Sequence, residues 1–221
     1  NLLDLLILTG HHGREGSGLV FLAEENNEQG ALEMGVVTEY LPGPGEKNDD
    51  KVRNRLAKVW GHVLPSGSPA TLIEQLGYAK DGTIKAMFIV GENPVETLPP
   101  EVQAADSLEA LEFLVCQELF LTETAKRANV ILPASSSYEK DGTFTNQEGH
   151  VQPVRKSIEP IGESQPDWEI FSALSVFMKN PVEYKDNKEI LKEIFAVIPG
   201  YGLLGLSSAR PPVRENFIQH Y

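Results

Sequence analysis

Short apolar runs alternate with helix-length segments through the middle of the chain. The runs are IKAMFIVG, LEFLVCQE and NVILPA, at residues 84–91, 111–118 and 129–134. Apolar and polar positions do not alternate along them, which is typical of parallel strands that are buried on both faces. The pattern predicts an α/β fold: a Rossmann-like, three-layer parallel sheet with helices on both faces, plus a short β-hairpin and a C-terminal helical tail.

Helical spacing of apolar residues marks the segments around these runs. The predicted helices cover residues 2–9, 25–35, 51–61, 70–79, 121–128, 165–179 and 187–197. Gly10 should stop the first helix, Asp49 or Asp50 should cap the third, and Ser68-Pro69 should start the fourth. We expect residues 1–180 to form one region and residues 181–221 to form a helical or irregular tail.

Composition and charge exclude several classes of function. The net charge of −13 argues against binding nucleic acid or an anionic membrane, since both need clustered Lys and Arg. The run LLDLLIL is too short to span a bilayer and Asp4 interrupts it, so we expect no direct membrane insertion. Cys116 is the only cysteine, which excludes an internal disulfide and a cysteine-ligated cluster and suits a reducing compartment.

Polar side chains follow each predicted strand at its carboxyl end. The first strand is followed by Asn93, the second ends in Gln117 and Glu118, and the third leads to serines at 135–137. Ligands of open parallel sheets bind beyond these ends, and amide and carboxylate groups suit a base edge or a ribose. Lys140, in the stretch YEKDGTFTNQEGHVQ, could meet a phosphate. Each loop alone is equally well explained as a solvated turn.

Several other candidate groups stay open. GREGSG has glycines at 13, 16 and 18, so it could approach a phosphate in an ordinary nucleotide-binding domain, but a helix-ending loop explains it about as well. His11 and His12 are expected in a solvated loop rather than at a metal. Glu139 and Glu148 could form a carboxylate pair, although nothing in the sequence fixes their separation.

Taken together, these stretches resemble the molybdopterin oxidoreductase superfamily. The matching pieces include LLILTGHHGREGSGL, NNEQGALEMG and FIVGENPV, and they extend to GESQPDWEI. The longest piece, which runs from FLVCQELFLTETA through NVILPA to EKDGTFTNQ, is the most specific. Because the chain opens inside an apolar, helix-like segment, we expect it to be part of a longer polypeptide.

The resemblance implies a cofactor and a set of residues that bind it. The cofactor would be molybdopterin guanine dinucleotide, and an iron–sulfur cluster would lie in a preceding part of the protein. The residues implied for the guanosine part are Asn93, Gln117, Glu118, Lys140 and Asp167. Gln29 and Gly30 would lie near the pterin. No catalytic residue and no metal ligand is expected in this stretch.

Two branches of the superfamily are the nearest in appearance. One is the formate dehydrogenase alpha subunit, and the other is the G subunit of NADH:quinone oxidoreductase, complex I, which the glycine in NQEGHVQ favours. Either implies an enzyme that acts as part of a larger oxidoreductase with other subunits. It would be cytoplasmic, and partner subunits could hold it against the inner membrane. The alternative is a structural module of a complex I-like assembly without a cofactor.

Overall fold

The strands form three small sheets. The computed structural model describes residues 2–19, 22, 25–37, 40–43, 45–46, 49–64, 70–147, 149–198 and 201. In it the strands are β1 (Tyr40–Leu41), β2 (Gly45–Glu46), β3 (Ala86–Val90), β4 (Phe113–Glu118), β5 (Val130–Pro133), β6 (Gly142–Thr145) and β7 (Val151–Val154). The order β3-β4-β5 is parallel, whereas β1–β2 and β6–β7 are antiparallel pairs. The predicted α/β fold, with a three-stranded parallel sheet and a hairpin, is confirmed.

Most of the predicted helices are present. The helices are α1 (Leu2–Leu8), α2 (Glu28–Glu33), α3 (Asp50–Trp60), α4 (Leu72–Lys80), α5 (Pro94–Thr97), α6 (Ala104–Glu109), α7 (Asp167–Phe177) and α8 (Asn187–Val197). Asp49 caps α3 as predicted, by accepting the backbone N–H of Lys51 at 2.8 Å. None of the described helices has the length and apolar character to cross a membrane.

Two predictions about helices are wrong. The first concerns the start of α4, which we placed at Ser68-Pro69, two residues that lie outside the described residues. The helix begins at Leu72, and Thr71 caps it in a reciprocal capping box with Glu74. Residues 121–128 form only a 3₁₀ turn at Ala125–Arg127. There the Thr122 hydroxyl accepts the Ala125 N–H at 3.1 Å, and Val130 already begins β5, so the segment has no room for a longer helix.

Helices lie on both faces of the parallel sheet, but the cover is uneven. On one face α4 and α6 pack on the sheet through a core of Leu76, Ala104, Leu108, Leu114, Cys116 and Ala125. On the other face α7 lies over β3, where the rings of Phe171 and Phe88 are 5.8 Å apart. Phe88, Val90 and Phe113 stay at least 40% exposed there. The prediction that both faces of the strands are buried is therefore wrong for this face.

A second core joins α3 to α8. Its buried members are Val52, Leu56, Val197, Ile198 and Tyr201. The predicted helix in the tail is thus present and packed against α3, whereas residues 199–200 and 202–221 lie outside the described residues. The boundary that we placed after residue 180 stays a prediction.

Candidate functional site

The carboxyl ends of the three parallel strands meet at one edge of the sheet. Val90 pairs with Gln117 in the register of β3 and β4, and Glu118 pairs with Pro133 in that of β4 and β5. Backbone hydrogen bonds carry the pairing past the strands, from Gly91 N–H to Gln117 O at 2.9 Å and from Ala134 N–H to Glu118 O at 3.1 Å. The loops that follow the strands therefore start side by side, as a shared binding site requires.

Gln117, Lys140 and Asp167 come together at this edge. Gln117 is 1% exposed and its Nε2 donates to Asp167 Oδ1 at 2.6 Å. Lys140 Nζ donates to the other carboxylate oxygen and forms an ion pair with it. Asp167 is the first residue of α7, where the helix dipole favours a carboxylate. Three residues predicted for one site are thus linked by direct contacts across 50 positions of sequence.

Two polar atoms beside this cluster are buried without a partner. Among the described residues, neither Gln117 Oε1 nor Ser135 Oγ has a hydrogen-bond partner, although both residues are 1% exposed. An unsatisfied buried polar atom costs free energy, so such atoms usually have a partner in the functional state. This buried amide oxygen and this buried hydroxyl, at the carboxyl edge of a parallel sheet, would be satisfied by a ligand that reaches them with polar groups.

Asn93 connects the first strand end to the second. Its Oδ1 accepts the backbone N–H of Thr124 at 3.1 Å and the Thr124 hydroxyl at 2.8 Å. Its Nδ2 donates to Glu96. Thr124 is fully buried and was not among the predicted residues. The signal in the sequence was its place in the TETA part of the longest motif.

Glu118 and Glu139 have local roles. Glu118 Oε1 accepts the next backbone N–H, of Leu119, at 2.7 Å. Glu139 is buried and accepts backbone N–H groups from Ser136 at 2.7 Å and Ile161 at 2.8 Å. The hydrogen bond from Ser136 is the main cause that lowers the pKa of Glu139. Glu139 therefore shapes the loop that carries Lys140, and its proposed partner Glu148 lies outside the described residues.

Gln29 and Gly30 lie in α2, against the hairpin. Gln29 Nε2 donates to Glu33 Oε1 at 3.3 Å. A side chain on buried Gly30 would collide with Asn27 Oδ1, which accepts the Thr145 N–H of β6 at 2.8 Å. The contacts described for these two residues are thus with Glu33 and with Asn27, the N-cap residue of α2, which binds the hairpin, and not with the cluster around Gln117.

The other candidate groups lie in the loop after α1 and in the core beside the sheet. His11 and His12 are exposed in the loop after α1, as predicted. Gly13 and Gly16, with φ of +71° and +72°, belong to that same loop, which follows a helix rather than a strand. Cys116 is buried in the core, where burial raises the pKa of its thiol. The described residues contain no group of three His, Cys, Asp or Glu that could hold a metal.

Comparison with known proteins decides the family. The model of the molybdopterin oxidoreductase family matches residues 1–177. The chain belongs to this family. Its match includes all three strand ends, the loop of Lys140 and the helix that begins at Asp167.

Two curated relatives come from different organisms. A provisionally named formate dehydrogenase of Staphylococcus haemolyticus is 38% identical, over 95% of this chain and 22% of the relative. The F420-dependent formate dehydrogenase subunit alpha of Methanocaldococcus jannaschii is 39% identical, over 90% of this chain and 30% of that subunit. This molybdopterin oxidoreductase domain thus spans between about a fifth and a third of the length of these curated relatives.

A solved structure has the same fold. The acetylene hydratase of Pelobacter acetylenicus superposes with a TM-score of 0.51 and 21% identity, over 77% of this chain and 23% of the hydratase. At that identity the likeness concerns the fold alone.

Proposed function

We propose that this molybdopterin oxidoreductase domain binds the guanosine end of a molybdopterin guanine dinucleotide in an oxidoreductase of the formate dehydrogenase type. The observation that carries the proposal is the buried Gln117 side chain, whose Oε1 is unpartnered while its Nε2 is held by Asp167. The family and the names of the relatives support the choice of cofactor and of reaction.

The residues at the sheet edge have complementary tasks in this proposal. Gln117 Oε1 would accept a hydrogen bond from the base, and Ser135 Oγ would bond to the base or the ribose. Lys140 would meet a phosphate, and Asp167 would hold both Gln117 and Lys140 in place. Glu118 is proposed for the guanosine side, and Gln29 and Gly30 for the pterin side. When bound, the cofactor supplies the redox chemistry, and these residues only bind and orient it.

The wider assignment is also a proposal. Formate oxidation, partner subunits, an iron–sulfur cluster elsewhere in the protein and a cytoplasmic location would belong to the whole enzyme. Our preference for the complex I subunit has no support in the two relatives described above, both of which have formate dehydrogenase names. The alternative is a structural module that binds no cofactor, and the following experiment distinguishes it from the proposed function.

The first test is the composition of the protein purified at its full natural length from its host. We expect molybdenum or tungsten together with a guanine dinucleotide, and reduction of an artificial acceptor that depends on formate. Iron without either metal and without guanine nucleotide would contradict the proposal and favour the cofactor-free module.

The second test removes the cation of the site. Lys140→Met should speed the loss of guanine nucleotide about tenfold, because a charge-assisted contact disappears. Lys85→Met is the matched control, since Lys85 also forms an ion pair, with Glu112, but is largely exposed. Equal retention of nucleotide by the two variants would refute the role of Lys140.

A further inference from the structure

Thr124 holds the side chain of Asn93 in one orientation. Both the backbone N–H and the hydroxyl of Thr124 donate to Asn93 Oδ1, at 3.1 and 2.8 Å. Thr124 is fully buried, so water does not compete for these bonds. Since Asn93 follows β3 and Thr124 follows β4, the contact also ties together loops that are 31 positions apart.

Two backbone N–H groups, of Thr124 and Val95, determine which atom donates and which accepts in these hydrogen bonds. A backbone N–H can only donate, so the Asn93 atom that faces Thr124 must be the carbonyl oxygen and not the amide nitrogen. The Val95 N–H donates to the Thr124 hydroxyl oxygen at 3.2 Å, which leaves the hydroxyl proton to point at Asn93. Both donors that reach Oδ1 therefore come from Thr124.

The backbone of Asn93 is fixed as well. Its carbonyl accepts the N–H of Glu96 at 2.9 Å and of Thr97 at 3.0 Å, and the Thr97 hydroxyl at 3.1 Å. Its Nδ2 carries two N–H groups, of which one suffices for the bond to Glu96. Asn93 can thus offer a ligand a donor, but it cannot turn its amide to offer an acceptor.

We propose that Thr124 is a positioning residue that makes Asn93 present a hydrogen-bond donor to the base of the bound dinucleotide. Adenine shares the N7 acceptor with guanine, but adenine and cytosine each carry an exocyclic amino group where guanine has the acceptor O6. A donor that Asn93 places at O6 is therefore matched by guanine and opposed by the amino group of the other two bases. Thr124 thereby contributes to the choice of guanine. This inference rests on the proposed function, because it requires a dinucleotide at this edge.

The test compares Thr124→Val with Thr124→Ser in the full-length protein from its host. Valine keeps the shape of threonine but removes the hydroxyl, so Asn93 loses a donor and Val95 N–H loses its acceptor. Serine keeps both bonds. We expect the valine variant to lose guanine nucleotide about tenfold faster than the wild type, and the serine variant to retain it. The readout is the guanosine monophosphate released by acid per protein molecule after timed dialysis.

Thr71→Val separates positioning from general stability. Thr71 caps α4, so its loss should lower the unfolding midpoint without touching Asn93. Nucleotide that is retained in Thr71→Val but lost in Thr124→Val supports the inference. Retention in Thr124→Val, or equal losses in both valine variants, would overturn it while the proposed function stands. A wild-type protein without guanine nucleotide would overturn both.

Discussion

At the scale of single residues, two buried glutamates are held in opposite ways. Glu33 is 3% exposed, and its burial raises the pKa of the carboxyl, against the effect of hydrogen bonds from Gln29 and Thr145. Glu139 is 5% exposed, but the hydrogen bond from Ser136 lowers its pKa. Their charges should therefore change the stability of the fold in opposite directions as the pH changes.

Glu33→Gln is expected to raise stability at neutral pH. The pKa of Glu33 in the folded protein lies above its ordinary value of 4.5. Its contribution to the stability of the fold is therefore complete below pH 4.5 and is lost as the pH rises through the folded pKa. Urea unfolding midpoints from acid to neutral pH measure the difference. Glu28→Gln, on the exposed side of the same helix, is the control substitution. A Glu33→Gln variant that is less stable than the wild type at neutral pH would count against this account.

Glu139→Gln should behave in the opposite way. The pKa of Glu139 in the folded protein lies below its ordinary value of 4.5. The contribution of its charge to the stability of the fold is therefore complete above pH 4.5 and is lost as the pH falls through the folded pKa. The substitution should therefore lower the urea midpoint at neutral pH, and the difference from the wild type should vanish in acid. A difference that persists at low pH would show that packing, rather than charge, holds this loop.

At the scale of elements, one carboxylate joins α8 to α3. Glu193 Oε1 accepts the Trp60 indole N–H and Oε2 accepts the Tyr184 hydroxyl, each at 2.8 Å. Burial, followed by this bond, raises the pKa of Tyr184 to about 12. Because this pKa is raised, the contribution of Tyr184 to the stability of the fold is complete below pH 10, the ordinary pKa of tyrosine. That contribution is lost as the pH rises through about 12.

Glu193→Ala should loosen this attachment. The indole N–H and the tyrosine hydroxyl lose their acceptor, which we expect to cost about 1 kcal/mol of unfolding free energy. The pKa of Tyr184 should fall towards 10. Urea unfolding followed by tryptophan fluorescence and ultraviolet titration of tyrosinate measure the two effects. Glu183→Ala, at an exposed position, is the control. Unchanged values in Glu193→Ala would show that the apolar core alone holds α8.

At the scale of the whole molecule, an apolar surface runs along α7. A groove of about 460 Å³ lies between β5 and α7, and Leu132, Leu174 and Phe177 contribute to its lining. Phe177 is 85% exposed and the following Met178 is 78% exposed. Contiguous apolar surface of this kind promotes association of a protein in solution.

Phe177→Ser should reduce self-association of the 221-residue chain while the melting temperature stays nearly unchanged. Light scattering and thermal unfolding measure the two quantities. Phe171→Ser is the matched variant on the same helix, and it should lower the melting temperature because its ring packs on Phe88. Equal losses of stability in the two variants would mean that Phe177 is packed more tightly than its exposure indicates.

Much of the candidate site could be predicted from local sequence. Asn93 and Gln117 were found because each lies at the carboxyl end of a strand that is recognisable from its apolar run. Lys140 was found because its loop follows the end of the third strand, whereas Asp167 entered through the family motifs. Thr124 was missed because an isolated threonine in a polar loop gives no sign that its hydroxyl will be buried. Ser135 was noted only as one of a run of serines, since an unpartnered atom is a property of packing.

The sequence by itself determined the class of fold, the order of the three parallel strands along the chain and the approximate positions of α1, α2, α3, α4, α7 and α8. These depend on apolar periodicity and on caps, which act between residues that are close in the chain. Only the tertiary structure decided that Gln117, Lys140 and Asp167 touch, that Thr124 orients Asn93, and that one face of the sheet is poorly covered. Those features depend on contacts between residues tens of positions apart, whose geometry local patterns do not encode.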